Sequence, residues 1–384
     1  MRSNLIPAAI ILPLLLVTAC RDNDPAEQAP VAATADSEGA DSMASTDNAT
    51  TDAGERAVLS DAARSIMQAQ VVLERLGFST GVIDGKQSQS FTNALKGLQE
   101  SLDLEVSGEL DEATQQALAR WNRIPATRLV TIPESWGELR FLPVPEGAAE
   151  QAEMAVLGYE DMAEKLAERF HTTPEVLARL NPAESPAGVT PSPSPTPSES
   201  VSLAPAFAAG QQIRVPNVGA DQITAADIED EEWRATLRSL GVGSDQPSAA
   251  RLVVDKSEGW LKAFDEGGKL VAMFSVTTGS GHDPLPLGEW GINGVAHNPP
   301  FAYDPELFWD VPDSAEAQQL PPGPNGPVGV VWIDLTKEHY GIHGTPNPET
   351  IGRAESHGCI RLTNWDAARL SMMIKPGTKA VFQD

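Results

Sequence analysis

Apolar positions recur at helical spacing early in the chain: Ile66, Ala69, Leu73 and Leu76, then Phe91, Leu95, Leu98 and Leu102, then Ala113, Ala117 and Trp121. Steps of three and four residues place each set on one helix face, so three amphipathic helices are predicted between 60 and 122. Asp84-Gly85 supplies a turn after the first helix. Asp111 before Glu112 can cap the third by accepting from a first-turn N–H. Gly81-Val82-Ile83-Asp84 and Gly108-Glu109-Leu110-Asp111 form a weak internal duplication. Between Tyr159 and Leu180, Met162, Leu166 and Phe170, then Val176, Leu177 and Leu180, predict two short helices ending at Asn181-Pro182.

From Arg251 the pattern shortens to strands: Leu252-Val253-Val254, Trp260 to Phe264, Leu270 to Val276, Trp290 to Val295, Val328 to Leu335 and Lys379 to Phe382. Asp265-Glu266-Gly267-Gly268 is a hairpin turn signal between the second and third. A helix over Trp365 to Met373, capped by Thr363 or Asn364, interrupts this mostly β domain. Pro299 to Pro327 is long, rich in Pro and Gly, and carries Phe301, Tyr303, Phe308 and Trp309. Loops of that length usually line or cover a site, so it is expected to face substrate as a lid.

The remaining stretches divide the chain. Residues 1–20 begin with Met1-Arg2 and an apolar run from Leu5 to Ala19 that is too short to span a bilayer, which is the form of an export signal. Residues 21–59 are Ala, Asp, Ser, Thr and Glu with almost no large apolar side chain, and are expected to be a disordered acidic tether. The three-helix domain occupies 60–122. Residues 123–150, with Pro125, Pro133, Pro143 and Pro145, read as an extended linker. Residues 151–218 form a further small module with a Pro/Ser-rich insertion from Pro186 to Pro205, 219–247 an acidic linker, and 248–384 the mostly β domain. The whole is a multidomain α+β chain.

The formal charge is −27, from 54 acidic and 27 basic residues, and no basic stripe is present. A nucleic-acid partner is therefore excluded, because phosphates reward clustered cations. Carboxylate-bearing ligands would rely on local cations such as Arg353 and Arg361. The cysteines are Cys20 and Cys359; if Cys20 is acylated, no intramolecular disulfide can form.

Cys359 carries the chemistry. It lies in Ser356-His357-Gly358-Cys359-Ile360-Arg361-Leu362, with His343-Gly344-Thr345 sixteen positions upstream. A thiol is only partly ionised at neutral pH, and a nearby imidazole can draw off its proton, so Cys359 and His343 are the expected nucleophile and base. Backbone N–H groups of Gly358 and Cys359 could form an oxyanion hole, with Gly358 allowing close approach. His357 and Arg361 alternate with Cys359 along a strand and would share its face: His357 and Ser356 in support, Arg361 steadying a substrate carboxylate or the local fold. His339 and Tyr340 are placed beside the site. His171, His282 and His297 are read as ordinary polar residues. His343, His357 and Cys359 are all zinc-capable, but neither HExxH nor paired-Cys spacing exists, so no metal and no cofactor are expected.

These residues resemble the signature of the L,D-transpeptidase catalytic domain, with Ile342-His343-Gly344 as its first half and Ser356 to Arg361 as its second. The likeness extends over about 248 to 384 and includes Asp283-Pro284-Leu285-Pro286-Leu287-Gly288. It implies a cell-envelope enzyme that cuts a peptidoglycan stem after its third residue and joins the fragment to an amine. It further implies that a main-chain carbonyl, here that of Gly344, holds the second ring nitrogen of His343. The 60–122 segment resembles the small helical peptidoglycan-binding domain. Ala209-Gly210-Gln211-Gln212-Ile213-Arg214-Val215-Pro216 resembles the end of a LysM module, a sugar-chain binder of strand-helix-helix-strand plan. Val17-Thr18-Ala19-Cys20 resembles a lipobox, which implies lipidation at Cys20 and, with Arg21 following, a periplasmic protein anchored to the outer membrane.

The expected activity is formation of 3-3 cross-links, or of protein-to-wall links through an acceptor lysine, by way of a Cys359 thioester. Substrate contacts are expected from Ser356, Arg361, Arg353 and Tyr340. The expected partners are stem peptides, glycan and the membrane. Three alternatives remain open at this point: hydrolysis of stems by an L,D-carboxypeptidase or endopeptidase of the same fold, a non-catalytic wall-tethering lipoprotein, and a zinc hydrolase built on His343, His357 and Cys359.

Overall fold

The three helices predicted from the first apolar sets are α1 (Asp61–Arg75), α2 (Gln89–Ser101) and α3 (Glu112–Leu118). Each starts where a short polar side chain satisfies an otherwise unpaired N–H: Ser60 accepts from Ala63, Ser88 from Phe91 and Asp111 from Thr114. Trp121 lies beyond the third α-helix, in a 3-10 turn over Ala119–Trp121. The computed structural model describes residues 58–182, 207–219, 228–307, 311, 316–353 and 358–384. The export signal, Cys20, the tether up to residue 57, the Pro/Ser-rich insertion, Phe308, Trp309, Ser356 and His357 lie outside the described residues.

The stretch read as a proline-rich linker holds β1 (Thr127–Thr131), a 3-10 turn at Glu134–Glu138 that buries Trp136, and the short α4 (Ala148–Ala152). Helices α5 (Met162–Arg169) and α6 (Pro174–Leu180) follow, capped by Asp161 and Thr173. β2 (Gln212–Pro216) then pairs antiparallel with β1, Val130 opposite Ile213. The acidic linker likewise contains a helix, α7 (Glu231–Leu240), because Trp233, Leu237 and Leu240 fall on one face and are fully buried. Gly241 ends it in the left-handed conformation.

The strands after 250 are β3 (Arg251–Asp255), β4 (Trp260–Phe264), β5 (Leu270–Ser275), β6 (Gly288–His297), β7 (Phe301–Tyr303), β8 (Gln318–Leu320), β9 (Val331–Leu335), β10 (Gly341–His343), β11 (Ile360–Arg361) and β12 (Lys379–Gln383), with α8 (Asn364–Met373) before β12. Eight of them form one sheet in the order β11-β10-β9-β6-β12-β3-β4-β5. The pairs β10–β11 and β12–β3 are parallel and the rest antiparallel. β7 and β8 form a separate hairpin inside the long Pro/Gly loop. The sheet curls until its outermost members meet, since Thr277, just past β5, bridges Arg361 of β11.

The described residues all fall within one compact unit. Its largest core runs along the sheet and α8, from Leu252 and Phe274 to Ile342, Ile360 and Leu370, all fully buried. A second core joins α1 to β1, β2, α5 and α6 through Met67, Val130, Leu166, Phe170 and Ile213. A third packs Leu73, Phe78, Phe91 and Leu95 of the helical segment against Val253, Trp260 and Met273 on the outer face of β3–β5. Each such buried Leu, Ile or Phe contributes roughly 1.5–3 kcal/mol. The helical segment also caps the free edge of β5: Met273 N–H donates to Gly77 O at 2.9 Å, and Ser79 N–H to Met273 O at 2.7 Å. Among the described residues no helix is long and apolar enough to cross a membrane.

Candidate active site

β10 lies between β9 and β11, so its three residues are fixed from both sides. In the parallel register of β10 and β11, Ile342 opposes Ile360 and His343 opposes Arg361. Side chains alternate along a strand, so the two isoleucines enter the core while His343 and Arg361 share the other face. Cys359, two residues before Arg361, begins on that face. The Arg361 charge bears on both His343 and Cys359. Leu362 N–H donates to His343 O at 2.8 Å and Gly344 N–H to Val331 O at 3.2 Å, which pins the backbone around the histidine.

His343 is buried, and its Nδ1 lies 2.6 Å from Gly344 O. A carbonyl can only accept, so Nδ1 carries the proton and Nε2 presents a lone pair. The ring stacks on Trp332, its cross-strand partner in β9, at 5.5 Å between centroids. Burial pushes the imidazole down to about 4; the Gly344 carbonyl pulls upward and Arg361 adds to the lowering. The ring is therefore neutral at physiological pH and able to accept a proton.

Cys359 is half-buried, and its Sγ lies 3.9 Å from His339 O. Burial raises the thiol above its usual range, with the Gly341 backbone and Arg361 opposing. The resting pair is thus thiol and neutral imidazole, rather than the ionised sulfur that the sequence suggested. Proton transfer from such a thiol would accompany an attack instead of preceding it.

Gly358 has φ +100°, and a Cβ there would sit 2.7 Å from Cε1 of Tyr340. The Tyr340 ring therefore lies directly against the backbone preceding the thiol. Burial, then Cys359, then Asp283 raise its phenol. Arg353 faces elsewhere: its Nη2 is 3.8 Å from Asp84 Oδ2, in the seam between the 348–353 loop and the helical segment. Cys359, His343, Gly344, Gly358, Arg361 and Tyr340 are thus brought together, and Arg353 is engaged by the helical segment.

Two groups escaped the sequence reading. Asn364, fully buried at the start of α8, packs against Gly344; a Cβ on Gly344 would overlap its Oδ1 and approach its Cα to 3.4 Å. His171, read as an ordinary polar residue, is fully buried with φ +48°. Its Nδ1 is 3.6 Å from Glu74 Oε2, its Nε2 is 3.7 Å from Asp366 Oδ2 and 3.2 Å from Thr363 Oγ1, and its ring stacks on Trp365. Glu74, His171 and Asp366 are the one trio among the described residues with metal-like spacing. However, the carboxylates approach opposite ring nitrogens, and Arg369 Nη1 already stands 3.7 Å from Glu74. Two buried carboxylates facing Arg369 and a protonated His171 balance in charge, so an ion network fits this donor set better than a metal.

Residues 249–382 match the family profile "L,D-transpeptidase catalytic domain", and residues 63–118 match "Putative peptidoglycan binding domain". "Putative L,D-transpeptidase YqjB" of Bacillus subtilis (strain 168) is 30% identical over 144 residues, which cover 36% of this chain and 73% of that protein. "Putative L,D-transpeptidase YkuD" of Bacillus licheniformis is 52% identical over 58 residues, 15% of this chain and 35% of the relative. Among solved structures, L,D-transpeptidase 3 from Mycobacterium tuberculosis aligns at 16% identity over 35% of this chain and 61% of its own, with a TM-score of 0.30. The curled sheet and the helical segment before it fit the peptidoglycan-modifying acyltransferase class that these profiles describe. The chain belongs to the L,D-transpeptidase family. It spans about a third of the length of the YkuD relative.

Proposed function

We propose that this protein is an L,D-transpeptidase that acts on peptidoglycan tetrapeptide stems through a thioester on Cys359. The reading is carried by the His343 Nδ1–Gly344 O contact, 2.6 Å on a buried strand, which fixes the tautomer needed by a base facing Cys359. As Cys359 Sγ attacks the carbonyl carbon of the third stem residue, its proton passes to His343 Nε2. The tetrahedral oxyanion is met by the Gly358 and Cys359 N–H groups, where one donor is worth roughly 2.7–4 kcal/mol. Collapse breaks the bond to the terminal D-Ala, and its amine leaves with the proton from His343. An acceptor amine then gives up a proton to His343 and displaces the thiol, forming a 3-3 cross-link or a link to a protein lysine. Arg361, on the face of His343, would steady a stem carboxylate. The matched peptidoglycan-binding segment supports a wall substrate. The sequence at Cys20 supports an envelope location with a lipid anchor.

Mass spectrometry after brief exposure to a tetrapeptide stem tests this. An adduct on Cys359 with release of D-Ala is expected, and no adduct with Cys359→Ala. Continued turnover by that variant would reject the assignment, and products lacking any acceptor amine would convert it to a hydrolase.

A further inference from the structure

The segment between the helical and catalytic domains reaches the base of the active site. Asn364 uses both of its donors and accepts once: Nδ2 donates to Glu168 Oε1 at 2.7 Å and to Pro324 O at 3.0 Å, and Oδ1 accepts from Val330 N at 3.1 Å. Glu168, on α5, accepts a further hydrogen bond at Oε2 from Tyr159 Oη. The same segment holds the long loop that carries Pro324. Leu157 N–H donates to Pro322 O at 2.9 Å, Asn325 N–H to Leu157 O at 3.0 Å, and Asn325 Nδ2 to Gly158 O at 3.0 Å. Asn364 is thus a wedge with four neighbours: α5, the loop, the residue before β9, and Gly344. The last of these supplies the carbonyl that holds Nδ1–H of His343.

We propose that Glu168 and Asn364 are positioning residues for His343, so that the segment resembling a LysM module serves as a strut of the active site. Asn364 cannot rotate without losing three hydrogen bonds in a site that excludes water, and its Oδ1 and Cα leave Gly344 no room to swing. Glu168 is the member supplied from outside the region matched by the catalytic family, and Tyr159 orients it. The arrangement parallels the outer partners that orient ligating or catalytic histidines in other sites. The inference deepens the transpeptidase reading and rests on it for its kinetic consequence, but the effect on the imidazole stands apart from any substrate.

The test uses the full chain with ¹⁵N-labelled histidine. In the unaltered protein His343 is expected as the single Nδ1–H tautomer. Glu168→Ala should give a tautomer mixture and slow Cys359 acylation roughly 10- to 100-fold with little change in KM. Glu168→Gln, which keeps the acceptor for Asn364, should restore both within about threefold. Where Glu168→Ala does not fold, Tyr159→Phe carries the same test at smaller amplitude. A tautomer and an acylation rate that ignore these changes would overturn the inference. A tautomer that responds in a protein that never acylates would leave the inference standing and remove the transpeptidase reading.

Discussion

Thr277 and Arg361 exchange two backbone hydrogen bonds, Arg361 N–H to Thr277 O at 2.8 Å and Thr277 N–H to Arg361 O at 3.1 Å. The pair joins the two ends of the curled sheet, so Arg361 is held by β10 on one side and by the chain leaving β5 on the other. The Thr277 hydroxyl extends the same anchor, accepting from Gly352 N at 3.0 Å and donating to Thr350 O at 3.3 Å.

Thr277→Val keeps the backbone pair and the side-chain shape but takes the acceptor from Gly352 N–H, while Thr350 O keeps its bond from Arg353 N–H at 2.9 Å. The expected cost is about 0.5–1.5 kcal/mol, read from urea unfolding, because the 348–353 loop loses its tie. Thr277→Ser should recover most of it. An unchanged unfolding midpoint in the Val variant would show that the loop is held by other means.

Gly358→Ala meets two obstacles at once. The backbone angle of +100° disfavours any Cβ, and the added carbon would lie 2.7 Å from the Tyr340 ring. The expected result is a fall of more than about 100-fold in acylation, because the N–H groups before the thiol are displaced from the developing oxyanion. Shrinking the ring in a Gly358→Ala, Tyr340→Ala double variant should recover only part of the rate, since the backbone strain persists. Full recovery would assign the whole effect to the clash.

The Cys359 thiol and the His343 imidazole shift in opposite directions, and under the transpeptidase reading this sets the pH profile. His343 must be neutral to accept a proton, and its imidazole is pushed down to about 4, so kcat/KM should fall only as pH drops through about 4, not through 6.5. Cys359 is raised, so the thiol form persists to high pH and iodoacetamide should react slowly near neutrality, faster as pH climbs beyond 9. An alkylation rate already at plateau near pH 7 would mean a resting thiolate and would contradict the neutral pair.

How much of this could be read from the chain depends on the range of the contacts. Cys359, Gly358, His343 and Gly344 sit in two short runs whose chemistry is local, so residue types and spacing expose them. The main strands are legible for the same reason, since Leu252, Leu261, Phe274 and Ile333 each lie in a local apolar run. Helix α7 was hidden by the acidic residues around Trp233, Leu237 and Leu240, although the three-to-four spacing was there to be counted. β1 was hidden among prolines because Thr127–Thr131 becomes a strand only by pairing with residues near 214. Asn364 and Glu168 stand 196 positions apart, and His171 and Thr363 stand 192 apart. No periodicity signals such a meeting; it follows from how the cores pack.

His171 offers the sharpest test of that packing. It lies between Glu74 of α1 and Asp366 of α8, with Arg369 beside them, and so joins the segment matched as peptidoglycan-binding to the catalytic domain. Burial alone would lower its imidazole, but Glu74 and Asp366 together outweigh it and raise the group above 6.5. A raised histidine contributes stability that is fully present below its unfolded value and is lost as pH climbs through its folded one. Asp366, pushed up to about 6 chiefly by burial, is mostly ionised at the lower end of that window and more fully so above it. His171→Leu should therefore destabilise by roughly 3–5 kcal/mol at about pH 6.5, by leaving two buried carboxylates with Arg369 alone, and by clearly less near pH 9. Adding Glu74→Gln removes one of the two buried carboxylate charges and should return part of the loss. The check is the gap in urea midpoints between wild type and variants at the two pH values; a gap that stays constant or widens toward pH 9 would mean that His171 is neutral in the folded protein and that shape, not charge, joins the two segments.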